Sequence, residues 1–133
     1  MQKTVRAFFF MTFAFAALVL TGCSSTPTRP QEGAVVFGKP STVVQKASVD
    51  ALVVTGFDIQ KSEPLYVEGY RPRRIGLIVG SGGETVGIWL EQMNNSKTRV
   101  LVDTARTFAG GAGQRNWNAA ILEELEKTLG KRE

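Results

Sequence analysis

Cys23 is the only cysteine in a chain of 133 residues that contains no histidine. Without an imidazole there is no Ser-His-Asp or Cys-His relay and no His-dependent metal site. Carboxylates, lysines and hydroxyls remain. Glu84 and Glu91 stand seven residues apart on one predicted strand arm; strand parity puts them on opposite faces, so they do not converge as an acid–base pair. No Ser-Lys pair is singled out either. The expectation is a chain with no catalytic residue, no metal and no cofactor, and hence not an enzyme. Arg71, Arg73 and Arg74 form the one dense basic cluster after Cys23, with Tyr66, Tyr70 and Trp89 on nearby strands. They are a candidate contact for an anion or an acidic partner, since guanidinium groups bind carboxylate and phosphate bidentately; a solvated strand end is the plainer reading.

Two glycine clusters resemble phosphate loops only in part. Gly111-Ala112-Gly113-Gln114-Arg115-Asn116 approaches G-x-G-x-x-G and opens a predicted helix, where backbone amides and Arg115 would face an anion. The third glycine, the parallel βαβ context and an acidic residue about 20 positions on are missing, so it reads as a loop entering a helix. Gly80-Ser81-Gly82-Gly83 has no following Lys-Ser/Thr and reads as a hairpin turn.

The sequence around Cys23 is more specific. Lys3 and Arg6 precede an apolar run of about 14 residues, shorter than the roughly 20 needed to span a bilayer, and the run ends in Leu20-Thr21-Gly22-Cys23. Charge, core length, small residues and Cys in this order resemble a bacterial lipobox. The resemblance implies that residues 1–22 are a cleaved signal peptide and that Cys23 carries diacylglycerol and an acylated amine. Each buried methylene adds about 0.8 kcal/mol, so two or three chains anchor a protein durably. Ser24 stands where Asp typically marks inner-membrane retention, which points to the outer membrane, periplasmic face.

Removing residues 1–22 takes away Lys3 and Arg6 and no acid, leaving 14 basic against 12 acidic side chains. A nearly balanced domain has no large basic field, and nucleic acid drops out as a partner. Residues 23–33 are polar, with two prolines, and read as a lipidated flexible tether with a reach of roughly 17 Å. Residues 34–133 suit one small domain without a disulfide.

Within that domain, Ala34-Val35-Val36-Phe37 predicts a strand, ended by Gly38 and Pro40. A helix follows, with Thr42 and Gln45 as a capping box or Ser41 as N-cap, an inward stripe of Val44, Ala47, Ala51 and Val54, and Gly56 as the stop. Strands are predicted from Phe57, broken off by Ser62-Glu63-Pro64, then over 65–70, 73–79, 85–93 and 98–104. Asn116 is a plausible cap for a last helix whose stripe is Trp117, Ile121, Leu125 and Leu129. Trp117 reads as a core anchor. The pattern is an α+β two-layer sandwich: an antiparallel sheet of about four or five strands covered on one side by two helices.

The order of elements, Ala51-Leu52…Gly56-Phe57-Asp58-Ile59, Gly69-Tyr70-Arg71, Val100-Leu101-Val102 and the Gly-rich loop into Asn116-Trp117 resemble a family of small uncharacterised proteobacterial lipoproteins. That family is similar in fold to the domains of the C lipoprotein of the β-barrel assembly machinery. The resemblance implies a fold and no transferable site residues. The functional expectation is a non-enzymatic, lipid-anchored accessory or structural factor that binds another envelope protein by a sheet edge or the exposed sheet face. The alternative is a binder of a lipid, glycan or small envelope molecule.

Overall fold

The computed structural model describes residues 26–72, 74–75, 78–79, 83–106 and 115–133. The predicted signal segment, Cys23, Arg73 and both glycine clusters up to Gly82 and Gly113 lie outside the described residues.

Strand β1 (Val35–Phe37) leads through Gly38 and Pro40 into helix α1 (Ser41–Val54). Pro40 is the N-cap, its carbonyl accepting the amides of Val43 and Val44 at 3.0 and 3.1 Å, and no side chain caps the helix. The expected caps are spent on tertiary bonds instead. Ser41 is buried and its hydroxyl donates to Gln92, while the Gln45 amide donates to Ser62 at 2.7 Å. The helix ends as its sequence predicts: Gly56 has φ +87° and donates to the Val53 carbonyl, and Phe57 donates to Leu52. This crossed pair of bonds satisfies carbonyls of the last turn and folds Phe57 back against Leu52. Val54, placed inward by periodicity, is 72% exposed, because Leu52 fills the buried position at that end of the stripe.

Strands β2 (Asp58–Glu63) and β3 (Tyr66–Arg71) form a hairpin. The expected break at Ser62-Glu63-Pro64 is displaced. β2 pairs through Glu63, and the reversal falls at Pro64-Leu65, where proline's fixed φ suits the first corner of a turn. The predicted strand over 73–79 is not one strand: β4 (Arg74–Ile75) and β5 (Ile78–Val79) pair with each other, apart from the main sheet. An alternating apolar pattern is equally compatible with a chain that doubles back, and here it does. Strands β6 (Glu84–Asn94) and β7 (Lys97–Arg106) then make a long hairpin, its turn held by the Asn94 side chain, which accepts from the Ser96 amide and hydroxyl.

The main sheet is five-stranded and antiparallel, in the order β1-β7-β6-β3-β2. Helix α2 (Asn118–Leu129) packs beside α1 on one face. It stops at Gly130, φ +96°. The core lies between these layers. Phe37, Val44, Leu52, Val67, Val86, Ile88, Val100, Ile121 and Leu125 are all 0% exposed. The result is the α+β two-layer sandwich with two helices expected from the pattern.

Candidate functional site

Alternation sends every second residue of these strands to the face without helices. Register aligns Tyr66 with Trp89 and Leu101, Glu68 with Gly87 and Asp103, and Tyr70 with Thr85 and Ala105. Three aromatics, several charges and a glycine thus share one open surface.

The chain's own N-terminal segment crosses it. Pro27 is buried, and Gly87 makes room for it: a Cβ at Gly87 would stand 2.9 Å from the Pro27 ring and 2.7 Å from Trp89. The Thr28 amide donates to Asp103 at 3.0 Å, and the Arg29 guanidinium pairs with Glu91, which Arg99 also contacts at 3.3 Å. Pro30, Gln31 and Ala34 line a groove with Leu101, which is only 4% exposed although it lies on the open face. The segment expected to be a tether is therefore seated on the domain from Pro27 onward. Its polar composition suggested no packing, but a proline against a glycine-lined slot needs little apolar sequence, and polar side chains can pair across it.

Next to this strap, Tyr66 and Trp89 lie 5.1 Å apart and, with Leu65, border an open groove of about 560 Å³. The Tyr66 hydroxyl donates to Glu68, whose other neighbour is Lys61 at 3.4 Å. Burial, and then the hydrogen bond to the Glu68 carboxylate, push the Tyr66 phenol well above its ordinary range.

A second cluster lies at the Arg71 end of the sheet, on the helix side. The guanidinium carbons of Arg71 and Arg115 sit over the Trp117 ring at 4.5 and 4.7 Å, and Phe57 meets that ring edge-on at 5.5 Å. Buried Glu84 accepts the Arg115 amide at 2.9 Å. The Thr104 hydroxyl accepts the Trp117 amide and donates to Asn118, and the Asn116 side chain accepts the Asn118 amide, so the start of α2 is bound to β7. The Trp117 Nε1 is buried with no hydrogen-bond partner among the described residues.

Of the candidate basic cluster, Arg71 is thus engaged with Trp117. Arg74 lies in β4, and Arg73 is outside the described residues, so the three are not brought together as one described site. Trp117 is half-buried and packs against the core, as an anchor should. Sequence reasoning missed the stacking of Arg71 and Arg115 on one indole, which no local spacing encodes. Gly87 was a usable signal, a glycine inside a strand marking close approach of another chain segment.

The sheet edges are blunted. β1 is three residues long and its Val36 carbonyl accepts the amide of Glu133; β2 carries Asp58, Lys61 and Glu63 and a bulge between Ile59 and Lys61. Charges and bulges discourage strand addition. Among the described residues no group of three or more His, Cys, Asp or Glu is placed to hold a metal, and no helix is long and apolar enough to cross a membrane. No protein-family model matches the chain, and no curated protein matches it.

Proposed function

We propose that this chain is a lipid-anchored protein of the bacterial outer membrane, on the periplasmic face, that performs no catalysis and serves as an accessory or structural factor binding another envelope protein. The same reading places it with the small proteobacterial lipoproteins that its sequence resembles. One observation supports the non-enzymatic part: the two carboxylates that are buried among the described residues, Glu68 and Glu84, each make a structural bond, through Oε2 of Glu68 to Tyr66 and Lys61 and through Oε1 of Glu84 to the Arg115 amide. Such bonds hold both groups to the fold, whereas a general acid or base must reach its substrate.

The grooves at Tyr66–Trp89, along the strap and between Lys39 and Leu129 are open to solvent. Small-molecule sites enclose most of their ligand, which favours the protein-binding reading over the ligand-binding one. With both sheet edges blunted and the open face partly covered, the partner-binding surface is assigned to α1, where Val43, Val53 and Val54 are 46%, 57% and 72% exposed.

Two experiments test this. Metabolic labelling with a fatty acid should mark the wild type and not Cys23→Ser; equal label on both sinks the anchor. A photo-crosslinker at Val54 in intact cells should give a discrete adduct with one envelope protein. Crosslinking that matches a control site such as Glu123 on α2 would remove the assigned surface.

A further inference from the structure

The strap has a consequence for how the anchored domain lies. Pro27 is fixed against Gly87 and Trp89 in the middle of the open face. Cys23 precedes Thr26 by three residues, and an extended chain spans at most about 3.6 Å per residue, so the Cα of Cys23 lies within about 11 Å of that of Thr26. An acyl-bearing Cys23 places its glycerol in the interfacial layer of the bilayer. The helical layer lies on the other side of the sheet, and a helix with its side chains is about 10 Å across, which carries the outer side of α1 well away from the anchor.

The surface beside the strap suits that position. Leu65 is 50% exposed at the β2–β3 turn, and Tyr66 and Trp89 are half-buried next to it. Trp and Tyr settle at the membrane–water interface because their rings are apolar and their N–H or O–H stays wet. Of the carboxylates near these aromatics, Glu91 pairs with Arg29 and Arg99 and Glu68 with Lys61, while Glu63 and Asp103 also lie close to Tyr66. Three cations against four carboxylates leave about one net negative charge on this surface, a small one to set against a lipid headgroup layer.

We infer that the open sheet face, through Leu65, Tyr66 and Trp89, is the surface that rests on the membrane, with the seated strap as the link that sets this orientation. The inference rests on the lipid-anchor reading above. It leaves α1 and its exposed valines pointing into the periplasm.

The chain has two tryptophans, one on each side of the sheet, and this supplies the test. Mature acylated protein is reconstituted into phosphatidylcholine vesicles with or without brominated acyl chains. Trp117→Phe, which keeps only Trp89, should lose much of its emission to the brominated lipid. Trp89→Phe, which keeps only Trp117, should lose little. Equal quenching of the two, or stronger quenching of Trp117, overturns the orientation.

Because Trp117 packs on Phe57 and its replacement can disturb the fold, a second pair of variants uses exposed positions. Leu65→Cys and Val54→Cys each offer one free thiol once the Cys23 sulfur is acylated. A fluorophore on the first should be quenched by brominated lipid and a fluorophore on the second should not. Equal quenching again overturns the inference. Protection of the Leu65→Cys thiol that follows dimer formation in detergent, rather than vesicle binding, assigns the face to a second copy of the chain and overturns it too. Protein that fails to float with vesicles refutes the anchor itself, a result distinct from floating protein with an unquenched Trp89.

Discussion

On the helix-covered face of the sheet, Val67, Val86, Ile88, Val100 and Val102 meet α1 and α2 and are at most 6% exposed. One residue along the same strands, on the other face, stand Tyr66, Glu68, Gly87, Trp89, Leu101 and Asp103, and a short polar strap lies across Gly87, Leu101 and Asp103. The covered face is held by burial, at about 1.5–3 kcal/mol for each fully buried aliphatic or aromatic side chain, a force that is large, undirected and intolerant of voids. The open face is held by one seated proline, one amide bond and ion pairs half open to water, each worth about 1 kcal/mol or less. One side of the sheet therefore sets whether the domain folds. The other sets what lies on it.

The largest effect on the covered face is expected from Phe37→Ala. Phe37 is 0% exposed in the covered layer, and its truncation should cost about 3–5 kcal/mol in a denaturant melt. A loss below about 1 kcal/mol would mean that the covered layer does not dominate. Trp117→Ala comes next. The ring is half-buried at the rim, so about 2–3 kcal/mol is expected from lost packing against Phe57 and lost stacking with Arg71 and Arg115. An unchanged melting temperature would show that the cluster is not structural and would make Trp117 a binding residue.

Gly87→Ala probes the open face. Its Cβ would press on Trp89 and Pro27 at under 3.0 Å, and the strap should lift at a cost of about 1–2 kcal/mol. Exchange of the Thr28 amide should speed up while the amides of β6 and β7 stay protected. Equal acceleration throughout would mean that strap and sheet form one cooperative unit.

The smallest effect is pH dependence. Tyr66 is held neutral in the folded state, above its ordinary value of 10.0. A phenol whose folded pKa is raised stabilises the fold fully below about pH 10 and loses that contribution as the pH climbs toward the folded value. Wild type should therefore lose stability above about pH 10 more steeply than Tyr66→Phe, discounted for a site partly open to solvent. Parallel curves for the two proteins would show that the Tyr66–Glu68 bond contributes nothing to the open face.

Much of this architecture is legible without coordinates because period-two and period-3.6 patterns follow burial. Val86-Gly87-Ile88-Trp89-Leu90 separates the two faces residue by residue, and Ile121, Leu125 and Leu129 define the inward stripe of α2. Legibility failed where one pattern fits two structures. Ile75, Leu77 and Val79 alternate like a strand, yet the chain folds back between β4 and β5. The expected capping box at Thr42 and Gln45 failed for another reason: Gln45 found Ser62 and Ser41 found Gln92, both distant in sequence.

The features readable along the chain are local or compositional. They are the lipobox-like Leu20-Thr21-Gly22-Cys23, the absence of histidine, the glycine that ends α1, and the division of each strand into an apolar and a mixed face. Apart from the absence of histidine, each depends on residues within a few positions of one another. Folding in three dimensions is what seats Pro27 on Gly87 and brings the amide of Thr28 to Asp103, 75 residues away. It alone brought Arg71 and Arg115 onto Trp117. Gly87 within a strand marks that some segment comes close, but nothing in the polar composition of residues 26–34 names that segment. The energy of such contacts exists only once the sheet has placed both partners within reach.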